Sequence, residues 1–216
     1  AYIEIGKILE KTGKLNLAIE NYHIALEINE ESAFVFYRIA NCYNTLGSYD
    51  LSIQYHKKAI NTDPTFENSW ISLIEFYDLK KDYSNAINYS IKALESNGDS
   101  IKITKKLCQI LFKKQSFSDA AFYFESLIQL GDCNKETWIN FLDCLIKLYR
   151  LNQAKKIIKK ALINYPNSSD IIFRLAIIEI KLGNSIVAQK HLNKISIPDI
   201  NELFKSDLYT EFRNII

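Results

Sequence analysis

Ala18, Ser52, Ala86, Ala120, Ala154 and Ala188 follow one another at a constant spacing of 34 residues. An unbroken ladder of small residues on one period means that the chain repeats a single structural unit along almost its whole length. Other positions keep the same period. Ala25, Ala59, Ala93 and Ala161 align, as do Gly13 and Gly47, and Tyr2, Phe36, Trp70 and Trp138, while Pro64 and Pro166 stand three periods apart. Between these markers the apolar residues recur three and four apart, and only three prolines and six glycines interrupt a chain of 216 residues, so every unit reads as amphipathic helix. Helices lying side by side approach to about 8–10 Å only where a small residue faces a large one, which is what an alanine ladder opposite Tyr43 or Tyr77 supplies. A glycine such as Gly47 ends a first helix in the left-handed conformation without steric cost, and Pro64 stops a second helix because it has no amide hydrogen to donate.

Residues 33–66 carry the whole pattern: an early aromatic at Phe36, the large-small pair Ile39 and Ala40, Tyr43, the turn at Gly47, small residues at Ser52 and Ala59, and the terminator Pro64. This unit resembles the tetratricopeptide repeat family, whose repeat is a helix, a short turn and a second antiparallel helix. The resemblance implies an all-α fold, a right-handed α-solenoid superhelix of about six helix-turn-helix repeats. On this register the repeats run approximately over 1–32, 33–66, 67–100, 101–134, 135–168 and 169–198. The remaining segment, 199–216, carries Leu203, Phe204, Leu208, Phe212 and Ile215 among charges and is expected to form a C-terminal capping helix, since an end repeat otherwise exposes its stacking face. The pattern departs at Thr104, which replaces the early aromatic, at Leu127, which replaces a second-helix alanine, and at Tyr149, which takes a turn-glycine place.

Composition narrows the class of function. The hydrophobic fraction of 48% and charged fraction of 24% are those of a folded globular chain, and the most apolar run, Ile171 to Gly183, is broken by Arg174, Glu179 and Lys181. No membrane insertion is expected. A formal net charge of +2, with Glu75, Asp78, Glu136 and Asp143 beside the basic stretch from Lys102 to Lys114, argues against nucleic acid. Cys42, Cys108, Cys133 and Cys144 lie far apart with no histidine at ligand spacing, so they read as buried free thiols in a reducing, cytoplasmic setting, with no metal. No phosphate loop, metalloprotease or nucleophile-elbow motif is present, and the histidines fall singly in separate repeats, His56 at a packing position and His23 and His191 off it. No enzymatic activity and no cofactor are expected, and carboxylates such as Glu27, Glu75 and Asp143 read as solvated helix faces.

Stacked helix pairs turn slightly at each step, which places the first helices along a concave side. The resemblance implies that partners bind there. In a subset of the family a clamp of lysine, asparagine and arginine from three consecutive repeats holds a C-terminal carboxylate. The corresponding residues here are Tyr37, Asn41, Ser72, Lys102 and Lys106 in the second to fourth repeats, and Lys105, Gln109, Asn140, Asp170 and Arg174 in the fourth to sixth. The first set lacks one lysine and the second carries Asp170 with the wrong sign. The lysines of the stretch from Lys102 to Lys113 either receive an acidic peptide or pair with Glu75, Glu136 and Asp143 across the groove. Ile71, Phe112, Ile139 and Phe173, with Ile146 and Ile177, are placed on the same side as an apolar stripe. The KKIIKK stretch from Lys155 falls on a convex second helix and reads as solvated. The expected function is a non-catalytic scaffold that binds a peptide or partner protein in the groove. The alternative is a self-assembling or co-chaperone-type component that recognises acidic, carboxylate-ended peptides.

Overall fold

The computed structural model of the protein describes residues 1–28, 32–196 and 199. Among the described residues twelve helices and no strand occur. They form six consecutive pairs, one per sequence period: α1 (Tyr2–Lys11) with α2 (Leu15–Ile28), α3 (Ala33–Thr45) with α4 (Tyr49–Thr62), α5 (Glu67–Leu79) with α6 (Tyr83–Asn97), α7 (Ile101–Lys113) with α8 (Phe117–Gln129), α9 (Lys135–Lys147) with α10 (Leu151–Asn164), and α11 (Ser169–Lys181) with α12 (Ser185–Leu192). The helix pairs are gathered into two compact units, Ala1–Ile110 and Leu111 onward, the boundary falling inside α7. The all-α tetratricopeptide-type solenoid fold expected from the sequence is the one observed. Apart from Asp199, the expected capping helix over 199–216 lies outside the described residues. Among the described residues no helix is long and apolar enough to cross a membrane.

Each first helix ends in the same way. Residues 13, 47, 81, 115, 149 and 183 all have φ between 54° and 82°. The amide of the following residue then donates to the carbonyl five positions back: Ser48 to Tyr43, Asp82 to Tyr77, Ser116 to Leu111 and Arg150 to Leu145, each at 2.9 Å. This left-handed closure satisfies a carbonyl that the helix end leaves orphaned and reverses the chain into the second helix. Glycine supplies it at three of the six turns, and Lys81, Gln115 and Tyr149 adopt the conformation at the others. Some helices begin on side-chain caps, with Ser32 accepting from Val35 N–H and Asp82 from Asn85 N–H, whereas Ser48, Ser116 and Ser168 make no such bond. Pro64 and Pro166 follow α4 and α10 directly after their caps.

Packing follows the small-residue ladder. Ala18, Ser52, Ala86, Ala120, Ala154 and Ala188 are all buried, and so are Ala25, Ala59, Ala93 and Ala161. In the first unit one cluster joins Ala18, Ile19 and Tyr22 to Val35, Ile39 and Cys42, and a second joins Ile60, Trp70, Leu73 and Ile74 to Ala86, Ala93, Ile103 and Ile110. The closest approach lies at Gly6 of α1, where a Cβ would stand 2.5 Å from the Tyr22 ring. Cys42, Cys108 and Cys144 are buried and in no disulfide, with burial pushing Cys42 and Cys144 up to about 12; Cys133, expected to be buried as well, is exposed. It sits in the loop before α9, where no packed helix face covers it.

Because nothing lies within 4 Å of a Cβ built at Gly47, the turn penalises a side chain there only through its backbone conformation. Lys81→Gly and Gln115→Gly should therefore raise stability by about 0.5–1 kcal/mol each, and Gly47→Ala should lower it by a similar amount. Thermal unfolding reads this as shifts of roughly 2 °C in opposite directions.

Candidate functional site

The period also organises the face formed by the first helices. A residue nine places into one repeat is followed, 31 positions later, by the residue six places into the next: Asn41 and Ser72, Glu75 and Lys106, and Asp143 and Arg174. In the first unit Lys106 Nζ lies 2.6 Å from Glu75 Oε1. In the second unit Arg174 donates from Nε and Nη2 to the two carboxylate oxygens of Asp143, at 2.6 and 2.7 Å, a buried fork-to-fork pair. The Asn41–Ser72 rung carries no charge. Ser72 Oγ donates back to Asn68 O at 3.0 Å, and both residues line a cavity of about 230 Å³ between α3 and α5.

His56 closes the floor of that cavity, with Asn44 on the wall and Phe76 and Leu79 at the mouth. His56 is buried, its Nδ1 3.4 Å from Ser69 Oγ and its ring 5.9 Å from that of Tyr37. Burial pushes its imidazole down to about 4, so it presents a neutral ring at neutral pH. Tyr37 packs edge-on against Phe66, and Ile71 packs half-buried on the α5–α6 core. The cavity is thus lined by amide and hydroxyl groups over a neutral floor, with an apolar lip and with Glu75, paired to Lys106, on its wall.

The cations nearby are matched by carboxylates. Lys102 Nζ stands 3.3 Å from Glu67 Oε2, and Glu67 also accepts a hydrogen bond from Ser100 Oγ, the residue that caps α7. Lys106 is held by Glu75. Arg38 is paired with Glu10 and donates from Nε to the Tyr22 hydroxyl at 3.3 Å. Of the two ways to read the lysines of α7, pairing across the groove with Glu75 is the one formed, and Lys102 finds a further partner in Glu67. Lys105 and Gln109 are half-buried on α7.

The first unit therefore holds Tyr37, Asn41, Ile71, Ser72, Lys102, Lys105, Lys106 and Gln109, and the second holds Phe112, Ile139, Asn140, Asp170, Phe173 and Arg174. Within the second, Asn140 and Ile139 are half-buried, and the Phe112 ring meets that of Phe117 edge-on at 5.7 Å. Four expectations are corrected there. Phe173 has no accessible surface, and Ile146 and Ile177 are equally enclosed, so these side chains belong to the core and offer nothing to a ligand. Arg174 is buried and its guanidinium is taken up by Asp143 and by the Asp170 carbonyl at 2.9 Å, which leaves it unsuited to hold an incoming carboxylate. Asp143 is the buried partner in that pair rather than a solvated helix-face charge. Lys155, read as solvated, reaches buried Glu179 at 2.6 Å. Burial alone would push the Glu179 carboxyl up, but the hydrogen bonds from Lys155 and Asn184 hold it below the usual range. A larger cavity of about 590 Å³ opens between α10 and α11, where Lys135 pairs with Asp170 and Ser169 with Asp199, while the buried Ser168 hydroxyl has no hydrogen-bond partner among the described residues.

Sequence reasoning located Asn41 and Ser72 but missed His56, Asn44, Phe76 and Leu79 as parts of the same cavity. One signal was present for Leu79. Its repeat position is lysine in four of the other five units, Lys11, Lys113, Lys147 and Lys181, and threonine in Thr45.

The family model described as the tetratricopeptide repeat matches residues 1–32 and 35–66. The chain is 24% identical over 147 residues to "Protein CTR9 homolog" of Arabidopsis thaliana, an alignment that spans 66% of this chain and only 13% of that relative's length. Among solved structures it superposes on YrrB, described as a TPR protein with an unusual peptide-binding site, with a TM-score of 0.70 and 19% identity, covering 89% of this chain and 97% of that one. It also superposes on PilF of Pseudomonas aeruginosa, with a TM-score of 0.61 and 18% identity over 99% and 95% of the two chains.

The neutral state of His56 sets a pH dependence. In the unfolded chain its imidazole titrates near the ordinary value of 6.5 and in the folded chain at about 4, so between these limits the unfolded state binds the extra proton. Stability at neutral pH should therefore fall as pH drops from 6.5 to 4, by on the order of 3 kcal/mol, and flatten below. Urea unfolding across this window checks it, and His56→Phe, which copies Phe124 one repeat pair along, should remove most of the slope.

Proposed function

We propose that the chain, whose residues 1–32 and 35–66 match the tetratricopeptide repeat model, is a non-catalytic protein-interaction scaffold whose first unit holds a peptide segment of another protein across α3, α5 and α7. The observation that carries this reading is the open rung. Where the Glu75–Lys106 and Asp143–Arg174 rungs are closed by ion pairs, the uncharged Asn41 and Ser72 line a cavity with amide and hydroxyl groups. A primary amide offers two donors and an acceptor, which suits the alternating N–H and C=O of an extended peptide. The binding energy would come from a preorganised surface that loses little side-chain freedom on association.

Recognition of an acidic tail is less well supported. Lys102 and Lys106 would have to give up Glu67 and Glu75 before meeting a new carboxylate, and Tyr37 stands where the clamp needs a lysine. A second reading, self-association, rests on a separate observation. Ile5 and Ile8 of α1 are exposed, whereas Ile39, Leu73 and Cys42, their counterparts in the following repeats, are buried. A face that is packed in every comparable copy is a ready surface for another helix pair.

The groove reading is tested by closing the rung. The double variant Asn41→Asp, Ser72→Arg transplants the Asp143–Arg174 pair and should preserve the melting temperature while abolishing capture of partners that the unaltered chain takes from a lysate. Equal capture by both proteins would refute the groove. Self-association predicts a mass that rises with concentration in light scattering and returns to the monomer value in Ile5→Lys, Ile8→Lys; a monomer at every concentration removes that reading.

A further inference from the structure

The open rung does not end at the cavity. Phe76 lines both the Asn41–Ser72 cavity and a second one of about 430 Å³ at the turn edge of the second and third repeats, whose walls include Tyr49, Leu51 and Lys80. Between them stands Leu79, 84% exposed at the end of α5 and part of the first cavity's lip. An exposed leucine where four other repeats carry lysine leaves an apolar step in a place that the rest of the chain solvates. The far wall is already arranged. The Tyr49 and Phe76 rings lie 5.9 Å apart, and Lys80 Nζ is held 5.2 Å from the first centroid and 5.9 Å from the second.

Charge decides what crosses this step. Lys106 and Lys102 are matched by Glu75 and Glu67, Asp50 shares the turn-edge cavity with Lys80, and the charge lining the Asn41–Ser72 cavity, Glu75, is the one spent on Lys106. A partner of either sign would meet a charge of its own sign beside each opposite one, whereas an uncharged segment disturbs none of these pairs. We propose that the partner is an extended, uncharged peptide segment that runs from the Asn41–Ser72 cavity over Leu79 to the Tyr49–Phe76 wall and sets a leucine- or aromatic-sized side chain on that step. This assignment rests on the groove reading given above and adds the chemistry of the occupant. Leu79 is its specificity-determining residue, because its apolar surface is withdrawn from water only when the partner's side chain covers it.

The test selects a phage-displayed random peptide library on the full chain and titrates synthetic copies of the enriched peptides by fluorescence anisotropy. The proteins compared are the unaltered chain, Leu79→Lys, and Asn41→Asp with Ser72→Arg, each checked for an unchanged melting temperature. Enriched peptides should be uncharged with one large apolar residue, should lose about tenfold or more in affinity on Leu79→Lys, and should lose binding on the double variant. Peptides lost on the double variant but indifferent to Leu79→Lys would overturn this inference and leave the groove reading standing. Acidic peptides that ignore Leu79→Lys would overturn it in favour of the lysines of α7. Peptides that bind both variants as well as the unaltered chain, or a selection that enriches nothing above background, would overturn both readings.

Discussion

The distance at which one helix can approach the next governs everything else in this protein. Ala18, Ser52, Ala86, Ala120, Ala154 and Ala188 remove side-chain volume at the same place in every second helix, and each is buried. Dispersion falls off so steeply that a gap of even half an ångström would forfeit much of the contact energy of the large residues opposite. A constant small residue therefore imposes a constant approach, and Gly6 marks its limit, since the Tyr22 ring occupies the space in which any Cβ would stand. The positions that meet there vary together in volume along the chain. Glycine faces tyrosine in the first repeat, and the same register positions hold Ala40 and His56 in the second and Cys108 and Phe124 in the fourth.

A constant approach gives a constant register, and the register is what brings chemistry together. Residues 31 apart in sequence become neighbours on the first-helix face, as the Glu75–Lys106 and Asp143–Arg174 pairs demonstrate in two separate units. The two pairs are not equivalent energetically. Glu75 and Lys106 remain partly exposed, and such a pair contributes at most about 1 kcal/mol. Asp143 and Arg174 are almost wholly buried and survive only because their geometry is bidentate and the Asp170 carbonyl satisfies a further guanidinium hydrogen. The turns keep the register in step. Their left-handed residue is reproduced even where the sequence supplies lysine, glutamine or tyrosine, because the backbone bond it permits is worth more than the local strain.

The fold was legible because its determinants are local and repeated. Small residues, turn glycines and Pro64 and Pro166 act within one unit, so a shift of the sequence against itself reveals them, and even the Tyr149 turn could be placed by period alone. The site was legible only in part. Asn41, Ser72 and the α7 lysines could be placed on one face by register, but register cannot tell an open position from one enclosed by the rest of the fold. Phe173 and Arg174 occupy groove positions by count and yet are buried. The cation partners were also hidden, since Glu67 and Glu179 reach lysines one repeat away through side-chain extension that spacing does not encode. Cys133 escaped for the converse reason, lying in a loop where the helical period gives no burial rule.

That difference between position and exposure carries the functional argument. If the groove were merely a solvated surface, its rungs would be expected to vary without relation to one another, and a polar cavity at one of them would be incidental. Instead Glu75–Lys106 and Asp143–Arg174 spend their charges on each other, and the Asn41–Ser72 rung opens above a histidine that burial keeps uncharged. An unmatched carboxylate in that cavity would cost desolvation free energy and would meet Glu75, already spent on Lys106, on its wall. A neutral ligand with paired donors and acceptors meets no such penalty. The physical character of the site is thus set by the electrostatic completeness of its surroundings as much as by the groups it presents, and the two unit faces differ in charge pairing although they are built on one repeat.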